Sequence, residues 1–149
     1  MFNLAEPQRP GSASEGSTAA EDLDASRRKK LILVVEDDFV LRIAVAELLT
    51  SDGYDVECAA DGLEALIRLD SSDRKPSVIL LDIAMPRMDG VRFRDLQKSR
   101  PEVASIPVVA ITAAAKALRS GFDHRDFHDT FYKPLDVPRL LQTIRSLAS

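Results

Sequence analysis

Three short runs, Leu31-Ile32-Leu33-Val34-Val35, Val78-Ile79-Leu80-Leu81 and Pro107-Val108-Val109-Ala110-Ile111, are apolar at every position. A strand with one wet face alternates apolar and polar residues, so a run without alternation belongs to a strand covered on both faces. Each run ends on polar chemistry: Glu36-Asp37-Asp38 after the first, Asp82 after the second, Thr112 after the third. Val56-Glu57-Cys58-Ala59 is a weaker strand candidate. Thr130-Phe131-Tyr132 is a short one, expected at a sheet edge, and it leads into Lys133-Pro134.

Helical patterns separate these runs. Leu41, Ala44, Val45 and Leu48 share one face, with Asp38 placed as cap. Asp61-Gly62-Leu63-Glu64 reads as a capping box. A third helix starts at Gly90 and stops before Pro101, with Asp89-Gly90 as a turn carrying no chemistry. The last starts at Asp136, accepts Pro138 in its first turn and repeats Val137, Leu140, Leu141, Ile144 and Leu147. Ala113 to about Ser120 forms a poorly anchored fourth helix closed by Gly121, and Asp123 to Asp129 is polar and irregular. The alternation βαβαβαβαβα predicts an α/β fold with a parallel sheet and right-handed crossovers. Parallel strands bring the acids, the hydroxyl and the lysine to one sheet edge. Such a set is what phosphoryl transfer onto an aspartate requires.

At 149 residues the chain holds one domain with a substantial core. A net charge of −4 argues against a domain that grips nucleic acid by phosphate neutralisation. No signal segment opens the chain, and no apolar run approaches the roughly 20 residues that span a bilayer. A cytoplasmic protein is expected. Cys58 is expected to be a small buried apolar side chain without redox chemistry. Residues 1–28 are rich in Gly, Ser, Ala, Pro and Glu and are expected to be a disordered tail, leaving 29–149 as the folded domain. Arg27-Arg28-Lys29-Lys30 reads as a solvated lead-in to the first strand.

From about residue 30 to residue 149, the chain resembles the receiver domain of two-component response regulators, of the single-domain, chemotaxis-regulator-like kind. The resemblance rests on Val35-Glu36-Asp37-Asp38, Leu81-Asp82 with Met85-Pro86 and Met88-Asp89-Gly90, Ile111-Thr112-Ala113 and Lys133-Pro134. Each piece alone is weak, but four in order, each at a strand end, are specific. The resemblance implies a flavodoxin-like, doubly wound sheet of five parallel strands in order 2-1-3-4-5 with five helices.

It also implies roles. Asp82 is the phosphoacceptor for a sensor histidine kinase or a histidine phosphotransfer protein. Mg²⁺ is the cofactor, held by Asp37, Asp82 and the Ala84 carbonyl directly and by Glu36 through water. Without a cation, two carboxylates about 5 Å apart repel by roughly 3 kcal/mol at an effective dielectric of about 20. Lys133 bridges to a phosphoryl oxygen, Thr112 hydrogen-bonds it, and Ala113 leaves room for it. Pro134 is a cis-peptide candidate. Only self-phosphorylation and slow self-dephosphorylation are expected, with no true enzymatic turnover. Because the chain stops at Ser149 after the fifth helix, output is expected through contact with a downstream protein, by a monomer or weak dimer, with no nucleic-acid or membrane partner.

Two other classes compete. A haloacid-dehalogenase-like phosphatase uses the same strand-end chemistry but needs an acid two residues past the nucleophile, where this chain has Ala84. A phosphorylation-independent receiver acting as a binding module is the alternative function. It draws support from Thr130, which stands three residues before Lys133 where receivers usually carry a switch aromatic. Either that coupling is lost, or Phe131 or Tyr132 takes the role. His124 and His128 have i, i+4 spacing but read as two surface histidines.

Overall fold

In the computed structural model, described for residues 28–149, five parallel strands form one sheet in the order β2-β1-β3-β4-β5. They are β1 (Leu31–Val35), β2 (Asp55–Ala59), β3 (Val78–Asp82), β4 (Val108–Thr112) and β5 (Asp129–Tyr132). The helices are α1 (Phe39–Ser51), α2 (Gly62–Ser71), α3 (Gly90–Lys98), α4 (Ala114–Arg119) and α5 (Val137–Ala148). The expected fold class is therefore the observed one. The expected tail lies, up to residue 27, outside the described residues.

The three unalternating runs are the three central strands, and every residue of each is buried. Successive side chains of a strand point to opposite faces, so each run feeds two cores. Leu33, Val35, Ile79, Leu81, Val108 and Ala110 pack with Leu66 and Leu69 of α2 and Phe93 of α3. Ile32, Val34, Val78, Leu80, Val109 and Ile111 pack with Leu49 of α1 and with Leu140 and Ile144 of α5. The two weaker strands are the two edges. Cys58, on edge strand β2, is only half-buried, because an edge has a neighbour on one side alone.

Aspartate starts four of the five helices. Asp38 accepts from the N–H of Val40 and Leu41, Asp61 from Glu64, Asp89 from Arg92 and Asp136 from Arg139. These bonds satisfy donors that a helix leaves orphaned at its first turn. The Glu64 carboxylate reaches back to the Ala60 N–H rather than to that of Asp61, so the expected capping box is offset by one residue. Asp89-Gly90 is thus more than a turn. It caps α3, and a Cβ at position 90 would sit 2.7 Å from the Asp82 carbonyl oxygen. The exception is α4, six residues long, whose cap residue Ala113 has no side-chain bond to give.

Leu140 is fully buried and Leu118 is 87% exposed. Leu140→Ala should lower stability by about 2–5 kcal/mol, whereas Leu118→Ala should stay within about 0.5 kcal/mol of the wild type. Urea titrations followed by circular dichroism measure both.

Candidate functional site

The site is assembled by register. Val35 pairs with Leu81, which sets the next residues, Glu36 and Asp82, side by side at the C-terminal ends of β1 and β3. Asp82 pairs with Ile111, so Thr112 lies one step beyond on β4. Thr112 pairs with Tyr132, and Lys133 follows β5 with its N–H donating to the Thr112 carbonyl at 3.0 Å. The Lys133–Pro134 peptide bond is cis.

Carboxylate oxygens of Glu36, Asp37 and Asp82 lie within 4.8 Å of one another. Glu36 and Asp82 are buried, whereas Asp37 is exposed. Lys133 Nζ stands 2.9 Å from Glu36 Oε1 and 3.5 Å from Asp82 Oδ2. The N–H of Asp38 donates to Glu36 Oε2 at 3.1 Å, and that of Ala84 to Asp82 Oδ1 at 3.3 Å. A cleft of about 480 Å³ opens beside Asp37, walled by Ala84, Met85 and Asp89 on one side and by Lys116 and Arg119 of α4 on the other.

One lysine does not balance three acids. Burial first, and then the neighbouring Glu36 and Asp37, push the Asp82 carboxyl up to about 8, against the opposing pull of Lys133. Burial tends to lower the Lys133 ammonium, but its bond to Glu36 and the charges of Asp82 and Glu36 outweigh that and raise it. Converging carboxylate oxygens, short of positive charge and partly open to water, suit a hard cation that keeps some of its own waters. The site residues therefore fit a divalent metal such as Mg²⁺.

Thr112 is fully buried, with Oγ1 donating to the Ala113 carbonyl at 3.3 Å. Phe131 cannot replace the switch aromatic, because it sits in the α1/α5 core with the Arg139 guanidinium 4.3 Å from its ring centroid. Strand alternation puts Thr112, Thr130 and Tyr132 on the opposite face. Tyr132 is half exposed there, lining a groove with Ala117, Leu118 and Phe122. The Thr130 hydroxyl is buried without a hydrogen-bond partner. His124 and His128 are both exposed, the first in a 3₁₀ turn and the second in the bend that follows it, rather than together in a helix. His128 Nδ1 accepts from the Val108 N–H at 3.3 Å, and burial, then Arg94, lower its basicity.

All the residues expected at the site thus gather at one sheet edge, where the Glu36 carboxylate also makes an ion pair with Lys133 at 2.9 Å. Sequence reading missed the contact between Arg87 and Asp61, since nothing in Met85-Pro86-Arg87-Met88 marks the arginine as special.

The family model of the response regulator receiver domain matches residues 32–145. The chain belongs to that family. The receiver is 31% identical over 118 residues to the polar-differentiation response regulator DivK of Brucella anthropi, covering 78% of this chain and 94% of that protein. The chemotaxis response regulator CheY4 of Vibrio cholerae superposes with a TM-score of 0.70 at 27% identity, over 80% of this chain and 98% of that one. The receiver domain of a Pseudomonas aeruginosa sensor histidine kinase, solved with magnesium coordinated in its active-site cleft, matches with a TM-score of 0.69 at 25% identity, over 80% and 98% of the two chains. The receiver thus shares the phosphorylation-based signalling of its family in general.

Because folding raises the Asp82 carboxyl from its ordinary 3.8, its contribution to stability is full below about 3.8 and is lost as pH rises toward about 8. Metal-free protein should therefore lose stability over that window relative to Asp82→Asn, which should be about 1–3 kcal/mol the more stable of the two at pH 8. Urea midpoints of the two proteins at pH 5 and pH 8 test this; a difference that does not change with pH would contradict a strained carboxylate.

Proposed function

We propose that this receiver accepts a phosphoryl group on Asp82 from a sensor histidine kinase or a histidine phosphotransfer protein, with Mg²⁺ bound, and signals through a protein partner in the cytoplasm. The observation that carries this reading is the crowding of Asp82 against Glu36 and Asp37 beneath a single lysine. A structural acid gains nothing from such neighbours, whereas a nucleophile that must meet a cation and an incoming phosphoryl group needs them.

In the step itself, an Asp82 carboxylate oxygen attacks phosphorus, the O–P bond forms as the N–P bond breaks, and the electron pair leaves with the donor imidazole. Asp37, Asp82 and the Ala84 carbonyl, with Glu36 through a water, would hold Mg²⁺, which would supply positive charge to offset what accumulates on the phosphoryl oxygens. Lys133 already lies 3.5 Å from Asp82 and can turn its point charge from Glu36 to a phosphoryl oxygen. Thr112 can exchange the Ala113 carbonyl for a phosphoryl acceptor, and the small Ala113 leaves space. At the rim, Phe39 and Val40 are 65% and 74% exposed, apolar area that suits a protein donor. The chain provides no acid at Ala84 to release the phosphoryl group by general catalysis, so multiple turnover on phosphate esters is not expected.

Phosphoramidate or acetyl phosphate with Mg²⁺ should add one phosphoryl group to the wild type, read by intact mass, and none to Asp82→Asn. Equal labelling of both would refute the assignment.

Thr130 favours a second reading, a phosphorylation-independent binding module, because a threonine with a buried, unpartnered hydroxyl stands three residues before Lys133, where receivers usually carry a switch aromatic. Partner binding that is indifferent to phosphodonor and to Asp82→Asn would establish it.

Output in the first reading runs through the weakest element. Phosphorylation adds about −1.5 to −2 charge beside Thr112 and Lys133. The α4 helix, short and without a side-chain cap, follows Thr112 directly. Amide shifts on adding beryllofluoride should be largest in residues 112–132. Shifts confined to 36–38 and 82–90 would leave this route without support.

A further inference from the structure

The loop that carries Ala84 is tied to the start of the neighbouring helix α2. Among the described residues Arg87 is the one non-glycine with positive φ, at 62°. Glycine takes that conformation freely, while an L side chain does so at a cost. The arginine there makes a compensating contact: its Nε donates to Asp61 Oδ2 at 2.6 Å, and Nη2 lies 2.5 Å from the same oxygen.

Asp61 is a rigid anchor. It is 3% exposed, and its other oxygen accepts from the Glu64 N–H at 2.9 Å as the cap of α2. Exposed ion pairs contribute little, but an acid out of water depends on its partners. The backbone follows the side chains. Gly62 N–H donates to the Met88 carbonyl at 3.1 Å, and a Cβ on Gly62 would meet that oxygen at 2.8 Å. At the other side of the loop, Gly90 N–H donates to the Ile83 carbonyl at 2.8 Å. Met85 and Met88 pack on the core, yet their flexible side chains do not orient a peptide plane.

We propose that the Asp61–Arg87 pair is a latch that holds the β3–α3 loop in the conformation in which Ala84 can face a bound cation, so that both residues position the metal site without touching the metal. The proposal rests on the metal reading given above. It makes Arg87 a residue through which α2 and the phosphorylation loop are coupled, and it explains why an arginine stands where a glycine would be free of cost. Partners behind first ligands commonly change metal affinity by about 10–100-fold when removed.

Two substitutions separate the latch from plain structure. Asp61→Asn keeps an oxygen to cap α2 but loses the charge, and Arg87→Gly suits the positive φ while removing the guanidinium. In metal-free full-length protein, amide exchange at residues 84–88 should rise about tenfold in either variant and no further in the double variant, with α2 unchanged. In phosphoramidate labelling, half-saturating Mg²⁺ should rise by roughly tenfold, while the rate at saturating Mg²⁺ stays at the wild-type value. Arg87→Lys, which keeps one charged donor, should recover part of the loss. Wild-type exchange and Mg²⁺ dependence in both single variants, or additive effects in the double, would overturn the latch. Faster exchange with unaltered Mg²⁺ dependence would overturn its role at the metal site. Labelling of the wild type that ignores Mg²⁺ altogether would instead overturn the metal reading, and with it the metal half of this proposal, leaving the exchange result to decide the latch.

Discussion

Mutual repulsion among Glu36, Asp37 and Asp82 is the constraint around which the rest of this receiver is arranged. Their oxygens are forced within 4.8 Å because β1 and β3 are neighbours in register and both end in acid. Something positive must meet them, and the fold delivers it from a distance. Lys133 follows β5, two strands away from β3, or about 9–10 Å at ordinary strand spacing. A lysine is long enough to cross that gap, and the intervening strand ends in Thr112, followed by the small Ala113. Lysine, threonine and alanine at successive strand ends therefore form one solution to one electrostatic problem.

Around that edge the molecule divides into fixed and yielding parts. Four helices start on aspartate caps. A buried polar chain stiffens α3: Gln97 Nε2 donates to the Val103 and Ile106 carbonyls, and its Oε1 accepts from Arg94, whose Nε donates to the Asp126 carbonyl. Arg94 thereby anchors the far end of the segment that α4 begins. Between Thr112 and that anchor lies a six-residue helix without a side-chain cap, and just past the anchor, on β5, the buried Thr130 hydroxyl has no hydrogen-bond partner. A local charge change at Asp82 meets least resistance there. Rigid acids beside a soft segment are what a switch needs.

Much of this was legible in the chain because it depends on local pattern. Leu31–Val35, Val78–Leu81 and Val108–Ile111 lack alternation, so two-sided burial follows from composition and pleat alone. The weakness of α4 was equally visible in its few apolar anchors and in the glycine after it. Legibility failed where a residue's meaning depends on one far away. Arg87 finds Asp61 across 26 positions, and Glu36 takes Lys133 as its partner from the opposite end of the sheet.

Sequence by itself determined the fold class, the strand ends that carry chemistry and the residue types gathered there, since apolar period and strand-end position are one-dimensional properties. Tertiary structure alone decided the face on which each residue of β5 lies. Phe131 and Tyr132 are equivalent on paper, yet the pairing of Ile111 with Phe131 commits the one to the α5 core and leaves the other beside Thr112. That choice rests on register, and a slip of one residue would have exchanged them.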